Sequence, residues 1–267
     1  MGAGQAVDVN IAVPAALMLG AARALGIMVI FPIFSLFNIA GILRFGLAIG
    51  LSAPSLMVAY TFIMKGQVTY FDLSFLSVKE FVFGFVLGIG LGVPFWAAQA
   101  TGDMTDVYRG ANAANLFDQV NALETAPLGS LLMSIALMLF IGAGGLVDLI
   151  SIFYMSFSFW PLLAAFPRLP EAPLVPMIQI FASIFKAGAV LASPFIIVAM
   201  TIELSFSYTA RSARQLQLND ALPVFKNLAV LVVLVVYTMF IGSYFHETWT
   251  SGFTQVRSML EVDLGKE

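Results

Sequence analysis

Six long apolar runs, at residues 11–34, 45–64, 81–100, 128–147, 177–202 and 224–245, make up half of this chain and constrain its fold more than any other feature. A bilayer core about 30 Å thick is crossed by roughly 20 helical residues at a rise of 1.5 Å each, so every run is long enough to span. A seventh apolar stretch, 150–166, is shorter and aromatic (Phe153, Tyr154, Phe157, Phe159, Trp160, Phe166). It either completes a hairpin with the fourth run or lies at an interface. The composition agrees, with 60% hydrophobic and 10% charged residues among 267, where a soluble chain carries about a quarter charged. Disorder and a nucleic-acid-binding surface both need charge that is missing here. The net charge is −3, which steers no polyanion. With no cysteine, disulfides, a thiolate nucleophile, an Fe–S cluster and Cys-bound zinc are all excluded. The first run is too long, and too poor in basic flanking residues, for a cleaved signal peptide. The expectation is an all-α membrane protein with a single domain over 1–267.

Orientation is not legible. If six spans are assumed, one side receives Lys65, Lys79, Arg168, Arg257 and Lys266, and the other Arg44, Arg109, Arg211, Arg214 and Lys226. The excess of cytoplasmic cations that orients most membrane proteins is absent. Pro32, Pro54, Pro94 and Pro194 fall within runs, and each removes a backbone donor and favours a kink. In a membrane such breaks are tolerated where protein or a cavity satisfies the freed groups. Gly84, Gly88 and Gly92 form two consecutive GxxxG steps, and Gly46 with Gly50 another. Small residues four apart let helix backbones approach closely, so these faces are expected to be covered by protein.

The polar residues divide into two groups. Residues 99–127 (QATGDMTDVYRGANAANLFDQVNALETAP) follow the third run and carry Asp103, Asp106, Arg109, Asp118 and Glu124. On a helix, Asp106 and Arg109 are i,i+3 neighbours that can pair. The segment is either a solvated connection or a small-residue stretch bordering a polar passage. Arg23 in the first run, Lys186 in the fifth and Asp148 at the end of the fourth are intramembrane charges. Such charges normally face a bundle interior, a cavity or a partner, so they fit either helix-locking ion pairs or a small-molecule or ion transporter. Glu203, Arg211 and Arg214 flank the end of the fifth run, where snorkelling explains them. Catalysis has little support. The one histidine, His246, sits at the end of the last run, and no zinc-protease or serine-elbow motif is present. No cofactor or metal is expected, and Gly142, Ala143, Gly144 and Gly145 read as a helix-packing patch or a helix break.

The motifs resemble those of the T subunit of the type III secretion export apparatus (the SctT/FliR/SpaR family). The matching residues are Pro94, Phe95 and Trp96; Gly102; Asp106, Arg109 and Gly110; Thr125, Pro127 and Gly129; Gly144 and Gly145; and Trp160 with Pro161. Glu203, Arg211, Leu218, Asn219, Pro223 and Lys226 resemble a second signature region. The likeness is strongest over 81–167. Gln99 stands where the family often has Glu, and Val107 and Tyr108 where Asn-Gln often precedes Arg-Gly. The Trp-Pro and Asp-x-x-Arg-Gly features favour the virulence branch over the flagellar one.

The resemblance implies hydrophobic helical hairpins with kinked helices, packed in a helical hetero-oligomeric export gate of a Gram-negative inner membrane and raised toward the periplasm. The R and S subunits would be its partners, with the U subunit docked on the assembly and the V export subunit contacted indirectly. Unfolded exported proteins would pass through it. It implies no enzyme activity and no nucleic acid. It also assigns 106–124 as a plug, with Asp103, Asp106, Tyr108, Arg109, Gly110, Asn112, Asn115 and Phe117 as gate residues. Gly84, Gly88, Gly92, Gly144, Gly145, Lys186 and Glu203 would serve helix or subunit packing.

Overall fold

A computed structural model describes residues 11–39, 41–65, 68–109, 127–165, 174–212 and 218–261. Among these, the regular elements are all helices: α1 Ala12–Ile30, α2 Pro32–Leu36, α3 Gly41–Leu51, α4 Ala53–Met64, α5 Tyr70–Arg109, α6 Pro127–Gly142, α7 Gly145–Phe159, α8 Leu174–Ser212 and α9 Leu218–Glu261. Three stretches, Ala12–Ile30, Tyr70–Tyr108 and Ala189–Arg211, are long and apolar enough to cross a membrane. Three helix pairs meet the same standard when joined across a short break, so the described residues offer three to six candidate spans. The chain is an all-α, multi-pass membrane protein.

The apolar runs and the helices do not share boundaries, and prolines and glycines explain several of the differences. The first run breaks at Phe31, whose extended backbone (φ −67°, ψ 126°) precedes Pro32 at the first position of α2. The second breaks at Ser52, where α3 and α4 meet at a 79° bend and Pro54 falls in the first turn of α4. A proline there removes an N–H that has no partner within the helix anyway. Run four breaks after Gly142, and Gly144, at φ +84°, caps the start of α7 in a backbone conformation that glycine adopts without penalty. By contrast, α5 and α8 continue through Pro94 and Pro194. α5 also starts eleven residues before its apolar run and extends through the polar stretch to Arg109.

The described residues group into two compact units. The first comprises residues 1–92, 144–175 and 251–267. Its core packs Ala12, Ala15, Ala16 and Leu19 of α1 against Ala59 and Ile63 of α4 and Leu73 and Leu76 of α5. Small residues bring the backbones together. A Cβ on Gly84 would overlap the Arg23 carbonyl, and one on Gly26 would overlap the Phe81 carbonyl. One on Gly88 would overlap the Ile30 side chain. The GxxxG face of α5 is thus covered by α1 within the chain at Gly84 and Gly88, and Gly92 is buried. Gly46 and Gly50 on α3 have open space where a Cβ would stand.

The second unit comprises residues 93–143 and 176–250. An aromatic stack runs through it: Phe95 lies 5.1 Å from Phe140 and 5.7 Å from Phe245, and Phe140 lies 5.2 Å from Trp249. Leu128, Phe195 and Val230 form a second buried cluster, with Tyr237 against it. One face of α9 is apolar yet exposed, including Leu228, Val235 and Met239 (88% exposed). Leu, Val and Met on an open helix face suit lipid or another protein in place of water.

Candidate functional site: the root of segment 110–126

The polar end of α5 and the start of α6 meet within the second unit. Asp106 is fully buried, and its Oδ2 accepts the Leu128 N–H at 3.0 Å. Leu128 lies in the first turn of α6, whose N–H groups have no intrahelical acceptor. Asp106 therefore caps a helix that begins twenty-one residues later in sequence, and its charge faces the positive end of that helix. Two glycines make the approach possible. A Cβ on Gly102 would overlap the backbone of Leu128 and Gly129, and one on Gly129 would overlap the Asp103 carboxylate. Thr101 and Thr105 are buried and donate to the carbonyls four residues back, Ala97 and Thr101, at 2.8 Å each. Their hydroxyls are thus satisfied without disturbing the crossing.

A second brace holds the last turn of α5. Lys226 of α9 is buried, 7% exposed, and its Nζ donates to Glu203 Oε2 of α8 at 2.6 Å and to the Tyr108 carbonyl at 3.4 Å. The two braces sit at the two ends of segment 110–126, which leaves α5 after Arg109 and enters α6 at Pro127.

The structure distributes the expected site residues as follows. Asp103, Asp106 and Tyr108 lie at this root, and Asp106 is buried. Arg109 is the last residue of α5, and Gly110, Asn112, Asn115 and Phe117 lie outside the described residues. Glu203 pairs with Lys226, which the charge count had placed in a loop. Lys186 is exposed on α8. Asp148 is exposed in the first turn of α7, where a carboxylate faces the helix's own positive end. Among the described residues, no group of three His, Asp or Glu side chains could hold a metal ion.

The first unit contains a larger buried ionic cluster, whose anion sequence reasoning missed. Arg23 and Glu80 are both fully buried. Arg23 Nε donates to Glu80 Oε2 at 2.7 Å and Nη2 to Glu80 Oε1 at 3.0 Å. Its other donors reach Ser156 Oγ at 2.9 Å and the Trp160 carbonyl at 2.7 Å. The guanidinium lies 3.9 Å from the Phe157 ring centroid and 4.8 Å from that of Phe83. Lys79 Nζ shares Glu80 at 2.7 Å and donates to the Leu162 and Ala164 carbonyls at 2.8 and 2.9 Å. The signal that could have found Glu80 is Arg23 itself, since a buried guanidinium demands a carboxylate. Glu80 borders the third run, within reach of an antiparallel neighbour.

The profile of the family described as bacterial export proteins, family 1, matches residues 15–252, running through both units. The chain belongs to this family. It is 30% identical over 173 residues to Yop proteins translocation protein T of Yersinia pestis, covering 65% of this chain and 66% of that protein. Surface presentation of antigens protein SpaR of Salmonella typhimurium is 28% identical over 165 residues, 61% of each chain. Flagellar biosynthetic protein FliR of Escherichia coli is 26% identical over 199 residues, 73% of this chain and 74% of that one. The matched stretch is slightly less than two thirds of the first two proteins. The Yersinia pestis and Salmonella typhimurium relatives named above match at higher identity than the flagellar one, in keeping with the expected branch.

Proposed function

We propose that this chain is the T-type subunit of a type III secretion export gate in a bacterial inner membrane, and that segment 106–124 closes the passage through it. Membership of the bacterial export family supports the subunit assignment. One observation carries the gating half: both ends of segment 110–126 are braced, by Asp106 on the first turn of α6 and by Lys226 on the last turn of α5. A segment that must stay across a passage, yet leave it, needs fixed ends. The exposed apolar faces of α9 and α3 support helical neighbours, which the reading identifies as the R and S subunits, with the U subunit docked on the assembly and the V subunit contacted indirectly. Unfolded proteins in transit are the cargo, and the assembly stands toward the periplasm. Of the residues offered for a transporter, Arg23 is held by Glu80, while Asp148 and Lys186 are each exposed.

Co-expression with R and S subunits is expected to yield a stable complex, and a stable, functional monomer in detergent would overturn the subunit assignment. Deleting residues 111–121 should leave that complex intact but make the membrane leaky to small solutes. Unchanged permeability in an assembled complex would remove the gating role.

A further inference from the structure

We propose that the first unit binds one anionic phospholipid, with an acyl chain in a groove between α1, α3 and α5 and its phosphate on Arg44. The site lies within this unit alone and does not depend on the gating role proposed above.

The groove has a volume of about 630 Å³, within the roughly 300–1,000 Å³ of small-ligand sites. Its walls include Pro14, Met18 and Leu25 of α1, Phe45 of α3, and Val78 and Phe81 of α5. Leu25 is half-buried and the others are exposed. Ser77, also on the wall, already donates its hydroxyl to the Leu73 carbonyl at 2.8 Å. Hydrocarbon is the chemistry that fits such walls. Along α1 the groove runs from Leu25 to Pro14, which at 1.5 Å per residue is about 16 Å. Half of a bilayer core is about 15 Å thick, so the groove has the length of one acyl chain.

Charge decides between a lipid and an apolar helix of another protein. Arg44, half-buried, precedes Phe45 in the first turn of α3. Its Nε donates to the Ile39 carbonyl at 2.9 Å and its Nη2 to the Phe34 carbonyl at 3.5 Å. Those contacts use two of the five N–H donors of a guanidinium, and both acceptors are neutral. Among the described residues no carboxylate pairs with Arg44. Phe34 and Ile39 follow α1, whose end at Ile30 marks one edge of a candidate span. The cation therefore stands near headgroup depth. Leu25 lies about 7 Å inside that edge, matching the roughly 5–7 Å thickness of one headgroup layer. A phosphate over Arg44 thus leaves its acyl chain at the mouth of the groove. Guanidinium binds phosphate through paired N–H donors, and basic sites beside membrane helices select anionic lipids in this way.

The test uses the full chain purified in detergent and titrated with dioleoyl phosphatidylglycerol or dioleoyl phosphatidylcholine, with native mass spectrometry counting bound lipid. The parent should hold one phosphatidylglycerol and bind phosphatidylcholine about tenfold more weakly, the loss expected when one charge-assisted contact is missing. Arg44→Gln should bind phosphatidylglycerol about tenfold more weakly than the parent does. Lys65→Gln removes an exposed cation that is not on the groove wall and should match the parent. Met18→Trp fills the groove from an exposed position and should weaken binding of both lipids. It carries the test should Arg44→Gln fail to fold. Equal affinity of the parent for the two lipids, or equal losses in Arg44→Gln and Lys65→Gln, overturns the proposal. So does parental binding in Arg44→Gln or in Met18→Trp. The phosphatidylglycerol should also remain in the complex co-expressed with R and S subunits. Its absence there assigns the groove to a partner helix and overturns the lipid site.

Discussion

Replacing Glu80 by Leu removes the one carboxylate that Arg23 and Lys79 share in the first unit. The parent geometry is a bidentate Arg23–Glu80 contact at 2.7 and 3.0 Å, plus Lys79 at 2.7 Å, with Arg23 and Glu80 fully buried. In Glu80→Leu, Arg23 keeps Ser156 and the Trp160 carbonyl, and Lys79 keeps the Leu162 and Ala164 carbonyls. Two buried cations then face neutral acceptors alone. Removing one member of a buried ion pair costs roughly 3–5 kcal/mol, and the shared carboxylate places this case at the upper end. Against a total stability of about 5–15 kcal/mol, the variant loses a large fraction of what holds the fold.

The double variant Arg23→Met, Glu80→Leu makes the reasoning refutable. It removes both charges of the tightest contact and leaves a flexible thioether in the slot between Phe157 and Phe83, where sulfur–ring contacts are favourable. If the loss in Glu80→Leu is that of an uncompensated charge, the double variant should recover at least half of it, about 1.5–2.5 kcal/mol. The assay is unfolding of the purified full chain by SDS titration in mixed micelles, followed by tryptophan fluorescence. Trp160 reports locally, since its ring lies 5.1 Å from Phe83. A Glu80→Leu midpoint equal to the parent's, or a double variant at the sum of its singles, would refute the account.

Two further outcomes follow from the helix crossings. Gly84→Val should destabilise by roughly 1–3 kcal/mol in the same titration, because its Cβ overlaps the Arg23 carbonyl. Gly50→Val, with open space around its Cβ, should stay within about 0.5 kcal/mol. Asp106→Ala should cost roughly 1–2 kcal/mol by leaving the first turn of α6 uncapped, while Asp106→Asn, which retains an acceptor, should recover most of that. Hydrogen exchange at the Leu128 amide checks this directly: it should quicken in Asp106→Ala and stay slow in Asp106→Asn.

What the sequence makes legible here is set by how local each cause is. The break at Gly144 and the close-packing face of Gly84 and Gly88 are written in neighbouring residues, and each appears in the structure where its pattern lies, whereas the apolar runs become helices with different boundaries. Proline is only half legible: Pro32 and Pro54 mark helix starts, whereas Pro94 and Pro194 sit inside continuous helices. The difference depends on what surrounds the freed carbonyl, which is tertiary. The ionic clusters are the least legible part. Glu80 is 57 residues from Arg23, and Lys226 is 118 from Tyr108. Asp106 reads in isolation as a solvated loop carboxylate. Only the folded chain brings the first turn of α6 to it and turns it into a buried cap.

These buried partners also bear on orientation. Lys79 and Lys226 enter the sequence count as loop cations, one on each side, yet both are buried in ion pairs. Removing them leaves Lys65, Arg168, Arg257 and Lys266 against Arg44, Arg109, Arg211 and Arg214. The balance survives this removal. With Arg23 included, three Lys and Arg side chains are buried among the described residues, and the other cations counted above favour neither side. A loop bias of positive charge is the usual device by which a helical membrane chain fixes its own topology. Where that bias is absent and apolar helix faces stand exposed, the contacts able to discriminate one orientation from the other are those with neighbouring subunits. On the subunit reading proposed above, orientation is then set by the assembly, and the exposed apolar residues of α3 and α9, such as Ile42 and Met239, are where neighbours would set it.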